Sequence, residues 1–178
     1  GLNGKIGGQD IRVANTCPPM AAALVAEIPE VADATRIYQI YESVIRNGEI
    51  IFTEEKVFVV DSNFFQFFGY KLKAGDVTSV LNEPNTVVLT EPMAHKYFGD
   101  ENPIGKLLII GDENKTYKVT GLAENPPANS HFSYNFLVSS VSNERLKSDI
   151  WLNNFMYTYF KVQPNAAANQ VEAKFIPL

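Results

Sequence analysis

The chain has 178 residues, of which 46% are hydrophobic and 20% are charged. A chain of this length buries roughly 70% of its extended surface on folding, and the composition excludes a disordered, collagen-like or low-complexity protein. The net charge of -5 without a basic cluster argues against a nucleic-acid partner. With one cysteine, Cys17, and no visible signal peptide, two expectations stay open: a cytosolic chain, or a piece of a longer exported protein.

The N-terminal segment predicts a tail and one helix. Residues 1–8 are glycine-rich and have the composition of a loose tail, so order is expected to begin near Asp10. Met20, Leu24 and Ile28 then recur every four residues. This spacing predicts an amphipathic helix that begins after two prolines and stops at the next one.

Residues 34–60 are rich in β-forming side chains. The dipeptide Asn47-Gly48 predicts a tight turn between a strand over 38–46 and a strand over 49–53. A further strand is predicted over 56–60.

A cluster of phenylalanines follows and predicts a short buried helix. Asp61 is a suitable N-cap, and Phe64, Phe65 and Phe68 share one helical face. The cluster indicates either an apolar ligand groove or a helix packed into a core, and the core is favoured. Phe67, on the opposite face, is the ring expected to remain available to a partner.

The rest of the chain alternates strands, helices and turns. The predicted elements are a strand over 86–89, a helix from Thr90 to Phe98, a hairpin of strands 106–110 and 116–122, a strand over 132–139 with alternating apolar and polar residues, a helix over 143–148, a strand over 155–162 and a helical start at Val171. Strand-helix-strand patterns thus occur at both ends. The sequence predicts a two-lobed α+β fold: a discontinuous lobe of two β-α-β units (1–60 and 131–178) and an inserted mixed lobe (61–130).

Two loops resemble ligand motifs but fail on spacing. The glycines of Gly99–Lys106 are one residue too far apart for a phosphate-binding loop, and a strand follows where a helix is needed. Asp112 and Asn114 resemble the opening of a calcium loop, but Tyr117 stands where glycine makes the bend. Plain turns are predicted for both.

The histidines offer no reactive constellation. Neither His95 nor His131 has a second ligand at metal-binding spacing, and the adjacent Ser130-His131 pair lacks the distant partners of a catalytic triad. We therefore expect no catalytic, cofactor-binding or metal-binding residues and no cofactor.

A series of short segments, in a fixed order, carries a family resemblance over about Pro18 to Val162. The segments are Pro19–Val31, Val60–Phe65, Leu72–Asp76, Pro84–Glu91, Lys96–Asp100, Pro103–Lys106, Tyr117–Leu122, Pro127–Phe132 and Phe136–Ser139. Together they resemble the MacB-like periplasmic core domain of ABC transporter permeases, an FtsX/MacB-type family, in the form found in Bacteroides-like bacteria.

The resemblance implies a non-catalytic, two-lobed domain on the periplasmic side of the bacterial inner membrane, between two transmembrane helices of a permease. It implies that the domain transmits motion driven by a cytoplasmic ABC ATPase. The implied partners are the permease's own transmembrane helices, a second permease copy, the ATPase indirectly, and a periplasmic adaptor or a lipoprotein or peptide substrate. The isolated domain is expected to be a monomer or to self-associate only weakly.

Two other interpretations stay open from the sequence alone. One is a freestanding periplasmic ligand- or protein-binding module, which would need an apolar pocket. The other is a hydrolase whose polar groups converge from distant segments.

Overall fold

A computed structural model describes residues 2–6, 9–13, 15–126, 130, 133–166, 171 and 174, with the backbone alone for 2–6 and 9–13. The chain divides into two compact units: unit 1 is Gly1–Ile37 with Arg145–Leu178, and unit 2 is Tyr38–Glu144. These bounds differ from the lobes expected from the sequence, which stay a prediction.

Twelve strands, three α-helices and two short 3-10 helices are described. In chain order they are β1 (Leu2–Ile6), β2 (Gln9–Val13), α1 (Met20–Glu27), β3 (Val31–Ile40), β4 (Ser43–Asn47), β5 (Ile50–Glu54), β6 (Val57–Val60), α2 (Phe64–Phe68), β7 (Leu72–Ala74), β8 (Thr86–Thr90), α3 (Glu91–Phe98), β9 (Leu107–Ile110), β10 (Lys115–Ala123), β11 (Phe136–Ser139), the 3-10 helices Ser140–Ser142 and Glu144–Lys147, and β12 (Tyr157–Val162). The α+β class is confirmed.

Unit 1 begins with a hairpin that the sequence interpretation missed. Strands β1 and β2 pair antiparallel, with Leu2 opposite Val13 and Ile6 opposite Gln9. The loose tail predicted for residues 1–8 is therefore wrong for Leu2–Ile6. The dipeptide Gly7-Gly8 is a hairpin signal in the sequence. The high glycine content of residues 1–8 favoured a tail instead.

Helix α1 confirms the predicted amphipathic helix. Its buried Leu24 packs in a core cluster with Ile28, Val31 and Val171, and Met20 lies against this cluster. The cluster joins residues from both ends of the chain, which is why unit 1 is discontinuous in sequence.

Two polar contacts also join the separate segments of unit 1. The Arg36 guanidinium donates hydrogen bonds to the carbonyl oxygens of Pro18, at 3.1 Å, and Leu146, at 2.8 Å. The Lys174 ammonium donates to both carboxylate oxygens of Glu30, at 2.6 and 2.7 Å. This hydrogen bond holds the pKa of Glu30 below its usual value.

Unit 2 contains a mixed sheet in the order β6-β11-β8-β10-β9-β4-β5, and β7 pairs with β10. The β6–β11 and β8–β10 pairs are parallel, and the other pairs are antiparallel. Strands β6, β8 and β11 are buried along their full length. Continuous apolar runs are typical of strands covered on both faces.

Full burial corrects the strand predicted over 132–139. Strand β11 covers Phe136–Ser139, and all four residues are buried, so apolar and polar sides do not alternate. The Ser139 hydroxyl is satisfied because it donates to the carbonyl oxygen of Leu81 at 2.8 Å. Phe132 lies outside the described residues.

The predicted hairpin needs two corrections. The strand expected over 38–46 is interrupted, because β3 ends at Ile40 and β4 begins at Ser43. The turn is Gly48-Glu49, since Asn47 pairs with Ile50 inside the hairpin. Gly48 has a φ of 58°, which suits the first central position of such a turn.

The ends of α2 and α3 and the type of the last helix agree only in part with the predictions. The N-cap of α2 is Asn63 instead of Asp61, and Gly69 ends the helix in the left-handed region, with a φ of 71°. Thr90 precedes α3 as predicted, but its side chain caps no backbone N–H. The helix expected over 143–148 is a 3-10 helix, Glu144–Lys147.

Candidate functional site

Helix α2 forms an aromatic core within unit 2. Phe64 lies edge-on to Phe65, with ring centroids 5.4 Å apart, and its ring also meets Tyr70 and Tyr134 at 5.7 and 5.9 Å. Such contacts add to the free energy gained by burying the rings. The segment is therefore a helix packed into a core, as favoured from the sequence.

The assignment of individual rings in α2 was wrong in two places. Phe67, expected to remain for a partner, is only 6% exposed, whereas Phe68, expected in the core, is partly exposed. Rings 67 and 68 still contact each other at 4.9 Å. A five-residue helix that is covered on several sides does not keep one face for solvent, so helical spacing could not identify the exposed ring.

A polar group borders this core. The hydroxyls of Tyr70 and Ser130 are hydrogen bonded at 2.9 Å. Burial raises the pKa of the neighbouring Tyr134 phenol, and the nearby Tyr70 and Glu124 raise it further. Tyr134 is therefore neutral at all physiological pH values and acts as a packing residue.

A buried carboxylate joins β5 to α3. Glu54 is 5% exposed, and its Oε1 accepts hydrogen bonds from Lys96 Nζ and from the Tyr97 hydroxyl, both at 2.7 Å. The Lys96 ammonium also lies 3.9 Å from the centroid of the Phe52 ring. Every polar group of the cluster therefore has a partner of suitable charge.

The electrostatics of this cluster favour a structural role. Burial raises the pKa of Tyr97, and the hydrogen bond to the Glu54 carboxylate raises it further. A phenol held protonated, beside a carboxylate already bound by an ammonium, has no proton to exchange near neutral pH. Sequence reasoning missed this cluster because Lys96 and Tyr97 lie 42 and 43 residues from Glu54.

His95 and Cys17 belong to no metal-binding cluster among the described residues. His95 is exposed and lies 3.5 Å from the carboxylate of Asp100. Cys17 is buried and has no disulfide partner in the described part of the chain. His131 lies outside the described residues. Among the described residues, no group of three or more His, Cys, Asp or Glu side chains could hold a metal ion.

The two loops that resembled ligand motifs are turns into strands. Gly99 and Gly105 both have positive φ, and the chain enters β9 directly after Lys106. The second loop connects β9 to β10, with Ile110 paired to Lys115.

Two exposed apolar surfaces are candidates for contacts with other molecules. In unit 2, Ile50, Ile51 and Phe52 of β5 are 36%, 55% and 45% exposed. We call β5, with the side on which no described strand pairs, the β5 edge. In unit 1, the loop before β12 exposes three consecutive apolar residues, and Leu152 is 90% exposed. The sequence predicted neither exposed surface, because an apolar run in a sequence predicts burial by default.

Solved structures with the same fold are domains of transporters. A domain assigned to a permease protein from Porphyromonas gingivalis aligns with a TM-score of 0.80 and 22% identity, over 95% of this chain and 72% of that chain. The periplasmic region of MacB from Actinobacillus actinomycetemcomitans aligns with a TM-score of 0.72 and 18% identity, over 98% and 78%. The extracellular domain of the ABC-type transporter YknZ from Gram-positive bacteria aligns with a TM-score of 0.64 and 14% identity, over 91% and 79%.

These three similarities, each below 25% identity, establish that this chain shares the fold of such domains. Residues 4–178 match the profile of one family, and the chain belongs to it: the MacB-like periplasmic core domain. The resemblance inferred from the sequence is confirmed. No curated protein matches the sequence significantly. Among the described residues, no helix is long and apolar enough to cross a membrane.

Proposed function

We propose that this domain performs no chemistry and transmits motion, driven by a cytoplasmic ABC ATPase, from the membrane helices of its permease to partners on the periplasmic side. The observation that carries the proposal is the family match over residues 4–178. The proposed partners are the permease's own transmembrane helices, a second permease copy and a periplasmic adaptor, lipoprotein or peptide substrate.

The division of the chain into units supports this proposal. Unit 1 contains both the first and the last residues, and unit 2 is a continuous insertion between them. Under the proposal, the two membrane helices connect through unit 1, and their movement reaches unit 2 from there. The covalent path onward to unit 2 consists of two crossings, Ile37-Tyr38 and Glu144-Arg145.

Both crossings lie within regular secondary structure. The first lies inside β3, where Ile37 is paired with Tyr157 of β12. The second lies inside the 3-10 helix Glu144–Lys147. Hydrogen-bonded backbone resists changes in its dihedral angles more than a glycine-rich linker does, so these crossings suit the transfer of a displacement.

A flexible insertion tests the proposal in the intact permease with its ATPase. Four residues, Gly-Ser-Gly-Ser, are inserted after Glu144. The expected result is that ATP hydrolysis continues while the variant fails to complement a strain lacking the permease. The matched control carries the same insertion after Asp112, in the turn between β9 and β10, and is expected to complement. Full complementation by the Glu144 insertion would contradict the proposal.

The alternative is a freestanding periplasmic binding module, favoured by the exposed apolar residues of β5 and of the loop that includes Leu152. The two functions differ in their need for a membrane attachment. Expression of residues 1–178 in the periplasm of the deletion strain, without membrane helices, distinguishes them. Complementation by this chain alone would support the alternative, and failure is expected under the proposal.

A further inference from the structure

The β5 edge has free backbone groups at defined positions. Strand β5 is the last strand of the unit 2 sheet and pairs with β4 on one side. The residues that flank a two-residue turn form a hydrogen-bonded pair, here Asn47 and Ile50, and such pairs alternate along an antiparallel ladder. The N–H and C=O groups of Ile51 and Thr53 therefore point away from β4, and within the described residues no other strand pairs with them.

The edge lacks the features that normally prevent edge pairing. Natural edge strands carry proline, lysine or a β-bulge for this purpose. The sequence Ile-Ile-Phe-Thr-Glu of β5 contains no proline or lysine, and its register with β4 is continuous. Its one charged side chain, Glu54, is buried against α3. An exposed, apolar and unblocked edge is a template for another strand.

The charges beside the edge indicate what kind of strand fits. Exposed carboxylates stand at both ends, Glu49 before β5 and Glu55 after it, and neither forms an ion pair with a described residue. Lys56, next in the chain, offsets only the second end. A strand with a basic residue at its end would place that charge against the uncompensated Glu49.

The same charges argue against a second copy of this chain as the molecule that binds the β5 edge. Suppose that two copies of β5 pair antiparallel and that the outward-pointing backbone groups of Ile51 and Thr53 in each copy all form hydrogen bonds. The pair is then centred on Phe52, with Ile51 of each copy opposite Thr53 of the other. This register places Glu49 of each copy opposite Glu55 of the other. Like charges directly opposite each other destabilise a strand pair, and this one has two such contacts.

We propose that the β5 edge binds an extended segment of another protein, apolar at alternate positions and with Lys or Arg at its end. The backbone groups of Ile51 and Thr53 supply the hydrogen bonds, the exposed Ile51 side chain contacts the apolar positions on one face, and Glu49 pairs with the basic end. The proposal does not depend on the transmission of motion, since it concerns unit 2 alone.

The test uses the 178-residue chain and a defined peptide, Lys-Thr-Val-Thr-Val-Thr-Val-Lys, blocked at both ends. Amide exchange at Ile51 and Thr53 is followed by NMR. At about 1 mM peptide we expect exchange at both amides to slow by about tenfold or more. A peptide with Glu in place of both Lys, and one N-methylated at alternate residues, are expected to have no such effect.

Two variants locate the binding. Thr53→Pro removes an N–H that points away from β4, so it spares the β4–β5 ladder, and Ile51→Lys adds the charge that edge strands normally carry. Both are expected to abolish protection by the peptide, which in Thr53→Pro is followed at Ile51 because proline has no N–H. Leu152→Lys, an equivalent change at an exposed apolar residue outside β5, is the control and is expected to bind as the parent does.

Four results would overturn the proposal or one part of it. Absence of protection by the basic peptide overturns the proposal, as does unchanged binding by folded Thr53→Pro or Ile51→Lys. Equal binding of the acidic peptide overturns the assignment of the basic end. Protection of Ile51 and Thr53 that rises with protein concentration, without peptide, identifies a second copy as the occupant and also overturns it.

Discussion

Two five-residue segments of unit 2, α2 and β5, are similarly apolar but have opposite environments. In α2, Phe64, Phe65 and Phe67 are buried among other rings, whereas Ile50, Ile51 and Phe52 of β5 are all exposed. Phe64 meets several aromatic neighbours, while β5 pairs with a described strand on one side only. The number of neighbouring elements, and not apolar content, decides which segment is core and which is surface.

Truncation of one ring in each segment tests this difference with the largest expected effect. Phe65→Ala should lower the free energy of unfolding by about 3 to 5 kcal/mol, because it leaves a cavity in a packed core. Phe52→Ala should cost about 1 kcal/mol, since that ring is half exposed and loses mainly its contacts with Lys96 and Tyr97. Urea denaturation measures both. Equal losses would remove the distinction between the two segments.

The anchor that holds β5 to α3 gives the next largest effect. Glu54→Gln keeps the size of the side chain but leaves the Lys96 ammonium, at 31% side-chain exposure, without its charge partner. We expect a loss of about 2 kcal/mol in the same denaturation assay. The neighbouring Glu55→Gln is the control, and its effect should lie within about 0.5 kcal/mol because this residue is exposed. A neutral Glu54→Gln would show that β5 is held in place by other contacts.

The dependence of stability on alkaline pH tests the contribution of Tyr97 to this anchor. The folded pKa of Tyr97 lies above the unfolded value of 10.0, so the protonated phenol favours folding. Its stabilisation is fully present below pH 10 and is lost as the pH rises from there towards the folded pKa. The unfolding free energy of the parent should therefore fall more steeply above pH 10 than that of Tyr97→Phe, by up to about 1.4 kcal/mol per pH unit. Parallel curves would mean that Tyr97 titrates normally in the folded state.

The smallest effect is expected at the β5 edge itself. Ile51→Lys should change the free energy of unfolding by less than about 0.5 kcal/mol, because the side chain is 55% exposed. Thermal or urea unfolding measures this change. A loss comparable with that of Phe65→Ala would show that Ile51 belongs to the core in solution.

Local signals in the sequence predicted several elements correctly. The four-residue spacing through Leu24 predicted α1, Thr90 marked the start of α3, and a four-residue turn separated β9 from β10. Each depends on interactions within a few residues, which a single sequence contains. The order of predicted strands and helices gave the α+β class, which is confirmed, as is the family resemblance.

Features that depend on distant residues could not be predicted in the same way. Alternation within a strand shows which residues share a face, but it does not show that β11 lies between two strands or that β5 ends the sheet. The partners of Glu54 lie on a helix more than 40 residues away in sequence. Phe67 was misassigned for the same reason, since its burial depends on what surrounds α2.

Under the proposed function, the domain moves when ATP binds on the cytoplasmic side of the membrane. A spin label at Asp112→Cys, in the exposed turn between β9 and β10, reports the distance between the two permease copies that the proposal assumes. Cys17 is buried and so resists labelling. The intact permease with its ATPase is measured by pulsed electron spin resonance without nucleotide and with ATP. We predict that the distance distribution shifts between these states. An identical distribution, in a complex shown to hydrolyse ATP, would contradict the account.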